Sequence, residues 1–127
     1  MIKIAFDLDD TITASKQSIE FFSVLTNLLI TDHHITILTS REPGTEQEIA
    51  EELRMLGIEY SEIVITDKKT EYIRQQGITI FFENEDENFL SLPENILVFK
   101  VREDGNFDFG EKGRWIGSKK TVRMIDE

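Results

Sequence analysis

The amino-acid sequence predicts an α/β fold: a doubly wound, Rossmann-like, mainly parallel five-stranded sheet with helices on both faces, followed by a C-terminal β-hairpin. Three observations carry that expectation. Short apolar, β-favourable runs alternate with helical periodicity from residue 2 to residue 101. Gly57 and Gly77 stand where two of the helical stretches stop. Beyond them, Asp104-Gly105 is a turn signal that breaks the alternation.

Residues 2–9 form the first apolar run, and residues 15–31 space Ile19, Phe22, Leu25, Leu28 and Leu29 along one helix face. Residues 35–39 read as a second strand. Thr45 then looks like an N-cap, with Glu48 completing a capping box for a helix that carries Ile49, Leu53 and Leu56 to Gly57. Residues 62–66 are a third strand, and Asp67 is placed to cap a short helix over 68–76. Strands at 78–82 and 96–101 follow, with a short helix over 87–92 between them. Residues 106–117 alternate Phe107 with Phe109 and add Trp115 and Ile116, which reads as a hairpin extending one sheet edge.

The 127 residues suit one domain, with an α/β core over 1–101 and a hairpin extension over 102–127. Hydrophobic residues make up 39% and charged residues 31%, and no apolar stretch reaches membrane-span length. The first apolar run has no basic residues before it and is cut short by Asp7, so no secretory leader is expected. Absence of cysteine excludes disulfides, thiolate nucleophiles and zinc–thiolate sites, and fits a cytoplasmic protein. A net charge of −11 makes nucleic-acid and anionic-membrane partners unfavourable.

Asp7-Leu8-Asp9-Asp10-Thr11 closes the first run. Alternation along a strand turns Asp7 and Asp9 toward one cleft, provided the strand persists that far. Two carboxylates so close need a cation or a proton between them. Chemistry on a phosphate with Mg²⁺ is the simplest reason for such a pair. In a doubly wound sheet the ligand sits beyond the C-terminal strand ends, where Asp7, Thr39, Asp67 and Glu83 all fall.

In these motifs the chain resembles the haloacid dehalogenase superfamily, in its small capless form. Asp7, Asp9 and Thr11 match its Asp-x-Asp-x-Thr motif; Thr39, with Ser40 beside it, matches the hydroxyl after the second strand; Lys69 or Lys68 matches the later lysine. Glu83-Asn84 stands where that superfamily usually has two aspartates, with Asn88 as a trailing Asn and Asp86 a second candidate ligand. The resemblance implies a Mg²⁺-dependent phosphomonoester phosphatase. Asp7 would attack phosphorus to form an aspartyl-phosphate, while Asp9, protonated at first, would serve the leaving group and then the attacking water. Asp7, Asp9 and Glu83 would hold Mg²⁺ through hard oxygens. Thr11, Thr39, Ser40 and Lys69 would bind the substrate phosphate, with Lys69 also steadying Asp7.

With no room for a cap, the site would be open. The substrate is then a small phosphorylated metabolite such as a sugar phosphate or nucleotide, its site closed off by a neighbouring copy in a homo-oligomer, or else a macromolecule. Glu83-Asn84 keeps a second reading in view: a phosphate- or metal-binding scaffold with little or no turnover. Arg41, His33-His34 and Trp115 read as ordinary loop, strand-entry and hairpin residues.

Overall fold

The structure is a computed structural model that describes residues 1–110 and 112–117. Five parallel strands form the main sheet in the order β3-β2-β1-β4-β5: β1 (Lys3–Phe6), β2 (His34–Thr39), β3 (Glu62–Ile65), β4 (Ile80–Glu83) and β5 (Leu97–Lys100). The α/β architecture read from the sequence is therefore the one observed. The chain steps outward from β1 through β2 to β3, then returns to the other side of β1 for β4 and β5. That reversal makes the β1/β4 seam the topological switch point, where such sheets open a crevice.

Helices α1 (Lys16–Leu29) and α2 (Glu46–Leu56) cover one face, and α3 (Lys69–Gln76) covers the other. Strand alternation supplies both cores. Ile4, Phe6, Ile35 and Ile37 meet Phe22, Ile49 and Leu53 on one side. Ala5, Leu38 and Phe81 meet Ile73 and Ile78 on the other. Each fully buried large apolar side chain contributes about 1.5–3 kcal/mol. Phe6, Phe82 and Phe99 stack across β1, β4 and β5 with centroids 4.9 and 4.5 Å apart.

Local signals set most boundaries. Ser15 caps α1 by accepting from the Ser18 amide at 3.0 Å. Gly57 ends α2 in the left-handed region at φ 74°, which an L side chain adopts only under strain. Other expectations are corrected. Thr45 forms no capping box, because its hydroxyl donates to the Glu42 carbonyl at 2.7 Å. Asp67 does not cap α3, which starts after Lys68 without a side-chain cap. Leu28 is 72% exposed, since the helix axis turns it outward from the sheet. The helix expected over 87–92 contracts to a single 3₁₀ turn at Asp86–Asn88.

The hairpin pairs β6 (Phe107–Asp108) with β7 (Arg114–Trp115) antiparallel, but as a sheet of its own. It does not extend the edge of β5. The buried Asn106 amide bonds the Asn84 and Val101 carbonyls, both at 2.8 Å, and fastens the hairpin beside the strand ends instead. Residues 118–127 of the expected extension lie outside the described residues. Among the described residues no helix is long and apolar enough to cross a membrane.

Candidate functional site

The β1–β4 register builds the centre of the site. Phe6 pairs with Phe82, and the Asp7 amide continues the ladder to the Phe82 carbonyl at 2.9 Å. Asp7 and Glu83 are the next residues on adjacent parallel strands, so their side chains lie on the same side, opposite the phenylalanines. That side faces α3, whose first residue is Lys69. The Lys69 ammonium donates to Asp7 Oδ1 at 2.7 Å and to Glu83 Oε1 at 2.9 Å. All three side chains are buried.

The remaining carboxylate oxygens are also taken. Thr11 Oγ1 donates to Asp7 Oδ2 at 2.8 Å. The Asn84 side chain, in the orientation that sets its nitrogen against acceptors, donates to Asp7 Oδ2 and Glu83 Oε2, both at 2.9 Å. Glu83 Oε2 further accepts from the amides of Asn84 at 2.9 Å and Glu85 at 3.2 Å, and Asn88 Nδ2 reaches Glu83 Oε1 at 2.9 Å.

This wiring sets the electrostatics. Burial pushes the Asp7 carboxyl up to about 8, against the pull of Lys69 and with the Glu83 charge reinforcing it. Burial alone would pull Lys69 down. The attraction of Asp7 and Glu83, with the hydrogen bonds to both, outweighs it, and the ammonium is held above the ordinary lysine value. A proton on Asp7 keeps the Lys69–Glu83 salt bridge at 2.9 Å as the ion pair of the cluster.

Asp9 goes elsewhere, which corrects the expected Asp7/Asp9 cleft. The strand stops at Phe6 and passes into a tight π-turn over Leu8–Ile12, with Asp10 left-handed at φ 61°. Asp9 leaves that turn toward the loop before α2. There Arg41 donates to its two oxygens at 2.7 and 2.9 Å and to Glu52 at 2.5 and 3.2 Å. Its hydrogen bonds to Asp9 and then Glu52 hold the Arg41 guanidinium above its ordinary value. The protonated leaving-group acid expected at Asp9 is instead the anionic partner of an arginine.

Thr39 is buried at the end of β2, with its hydroxyl accepting from the Arg41 amide at 3.3 Å. Exposed Ser40 lines a hollow of about 350 Å³ between the loops after β2 and β3, with Arg41, Glu42, Pro43, Thr66 and Asp67. Of the two candidate lysines, Lys68 is exposed and Lys69 is buried. Asp86 pairs with Lys100 at 2.5 Å rather than with the central carboxylates.

The expected Mg²⁺ ligands Asp7, Asp9 and Glu83 do not fit that ion in this arrangement. An ammonium lies between two of them, their oxygens are occupied by donors of the chain itself, and the third is forked onto Arg41. Among the described residues no group of three acidic or histidine side chains is placed to hold a metal.

Arg41, Glu52 and Asn106 are central to these contacts, and sequence reading assigned none of them a role. The nearest signal was Arg41, set just after the strand-end Thr39-Ser40.

No protein-family model matches the chain, and no curated protein matches it. Among solved structures, the crystal structure of a universal stress protein in complex with cAMP is similar at 15% identity, covering 80% of this chain and 96% of that chain, with a TM-score of 0.47. These findings correct the expected membership of the haloacid dehalogenase superfamily, for which no family model is matched. The Mg²⁺-dependent phosphatase, its aspartyl-phosphate intermediate and the hydrolase assignment, on small or macromolecular substrates, are corrected with it. The site geometry gives a physical reason in the same direction. A nucleophilic Asp7 must be ionised, and burial pushes its carboxyl up to about 8, so that near neutral pH it holds a proton inside the network with Lys69 and Thr11.

Proposed function

We propose that this protein is a binding module for a small phosphorylated ligand, a nucleotide or sugar phosphate, that does not turn the ligand over. The observation that carries this reading is the closed hydrogen-bond network of Asp7, Lys69, Glu83, Thr11 and Asn84 at the ends of β1 and β4. A fully paired network serves as a rigid floor. It is a poor nucleophile, because a carboxyl pushed up to about 8 by burial carries a proton near neutral pH and lacks the charge that attacks phosphorus.

The rim supplies what phosphate recognition needs. Ser40 and Thr66 line the hollow between the β2 and β3 loops with Glu42 and Asp67; Arg41, bonded to Asp9 and Glu52, borders it, and Lys68 stands just after it in the chain. Donors of this kind bind phosphate oxygens by hydrogen bonding and charge. Strand ends near the switch point are where a doubly wound sheet holds its ligands.

Isothermal titration with adenosine monophosphate, cyclic AMP, glucose 6-phosphate and inorganic phosphate tests this, alongside a phosphate-release assay on the same esters. Saturable binding to at least one ligand, weakened by Ser40→Ala, with no phosphate released, is the expected result. Phosphate release that disappears in Asp7→Asn would overturn the reading.

A further inference from the structure

The hollow between the loops after β2 and β3 has one cation among its lining residues, Arg41, and two carboxylates, Glu42 and Asp67. A phosphate ester seated there depends on the Arg41 guanidinium as its charge partner. That guanidinium is already engaged on two sides. Nε and one terminal nitrogen donate to the two oxygens of Asp9 at 2.9 and 2.7 Å. Both terminal nitrogens donate to Glu52, at 2.5 and 3.2 Å.

The Asp9 contact has the form that a bound phosphate takes. Two parallel N–H groups on one edge of the guanidinium meet two oxygens of one anion, and the same fork fits two oxygens of a phosphate. A carboxylate of the chain itself therefore occupies the fork that the ligand needs.

Asp9 is the looser of the two anions. Its side chain is 53% exposed, against 36% for Glu52. It stands in the turn after β1, whereas Glu52 is held inside α2. Arg41 is the only hydrogen-bond partner of its carboxylate among the described residues. Returning so exposed a carboxylate to water costs little.

We propose that Asp9 is a built-in competitor for Arg41, an autoinhibitory contact that a phosphorylated ligand displaces as Arg41 turns from Asp9 to the phosphate and keeps Glu52. The inference rests on the phosphate-binding reading above and deepens it. Arg41 becomes the charge partner of the ligand, and Asp9 sets how strongly an anion must bind to take its place.

Isothermal titration of the full chain with adenosine monophosphate and glucose 6-phosphate at low salt, where exposed charges are least screened, tests the proposal. Asp9→Asn should bind roughly 3–10-fold tighter than the unaltered protein, the range that a partly exposed ion pair supports. Asp9→Ser gives the same reading should Asp9→Asn fold poorly by circular dichroism. Glu42→Gln removes an equal charge from the lining of the hollow but no hydrogen bond to Arg41, and should change affinity less. In Asp9→Asn/Arg41→Met the gain should vanish, because the fork itself is gone. Binding by the unaltered protein that neither Asp9 variant tightens would overturn the autoinhibitory contact and leave the ligand reading standing. So would an equal gain in Glu42→Gln, or a gain that persists without Arg41. Absence of binding by both the unaltered protein and the Asp9 variants would overturn the ligand reading, and this inference with it.

Discussion

Replacing Lys69 by Met removes the one cation between two buried carboxylates while nearly keeping the side-chain volume. With Asp7 pushed up to about 8 and so mostly protonated near neutral pH, the Lys69–Glu83 pair at 2.9 Å corresponds to about 6 kcal/mol of attraction at an effective dielectric of ~20. Desolvation of the ammonium offsets several kcal/mol of that attraction. The net loss expected on removing one partner of a buried network is about 3–5 kcal/mol. For a chain of this size that lowers Tm by roughly 12–20 °C. Urea unfolding followed by circular dichroism at pH 7.5 measures it as a fall in midpoint at constant slope. The triple variant Asp7→Asn/Lys69→Met/Glu83→Gln, which removes all three charges together, should recover most of the loss. A Lys69→Met penalty below about 1 kcal/mol, or a triple variant no more stable than the single one, would refute the buried triad as the organising contact of the site.

Asp7→Asn should change how stability responds to pH. Because the folded carboxyl is raised from 3.8 to about 8, its contribution is full below the unfolded value and is lost as pH rises through the folded one. The unaltered protein should therefore lose stability between about pH 4 and 8, and urea midpoints of Asp7→Asn should be flatter there. Asn106→Ala leaves the Asn84 and Val101 carbonyls without their donor and should lower stability by about 2 kcal/mol or more in the same assay. Gly57→Ala places a Cβ 2.9 Å from Ser23 Oγ at φ +74°, and chemical denaturation should show a loss of about 1–2 kcal/mol.

Much of this architecture was legible residue by residue. The two strand-end phenylalanines, Phe6 and Phe82, continue into Asp7 and Glu83, and strand alternation with helix-ending glycines suffices to place such elements. Lys69 was singled out as steadying Asp7 and does donate to it, whereas Thr11, read as a substrate contact, donates to Asp7 as well. The direction of Asp9 was not legible, because it depends on where the strand stops and on an arginine 32 residues away. The capping box at Thr45 failed because a carbonyl three residues back competed for the same hydroxyl. Leu28 fitted the apolar period of α1 and still faces outward, since periodicity does not say where the sheet ends.

The sequence by itself determined the order and type of the elements and the identity of the strand-end side chains, because those follow from local periodicity and backbone preference. Tertiary structure decided which charges meet. Asp7 and Asp9 are two residues apart in sequence, yet one is neutralised by α3 and the other by the loop before α2. Ion pairing depends on distance in space and on burial, and chain separation fixes neither. The same two aspartates that suggested catalysis are, once folded, the anchors of two separate structural networks.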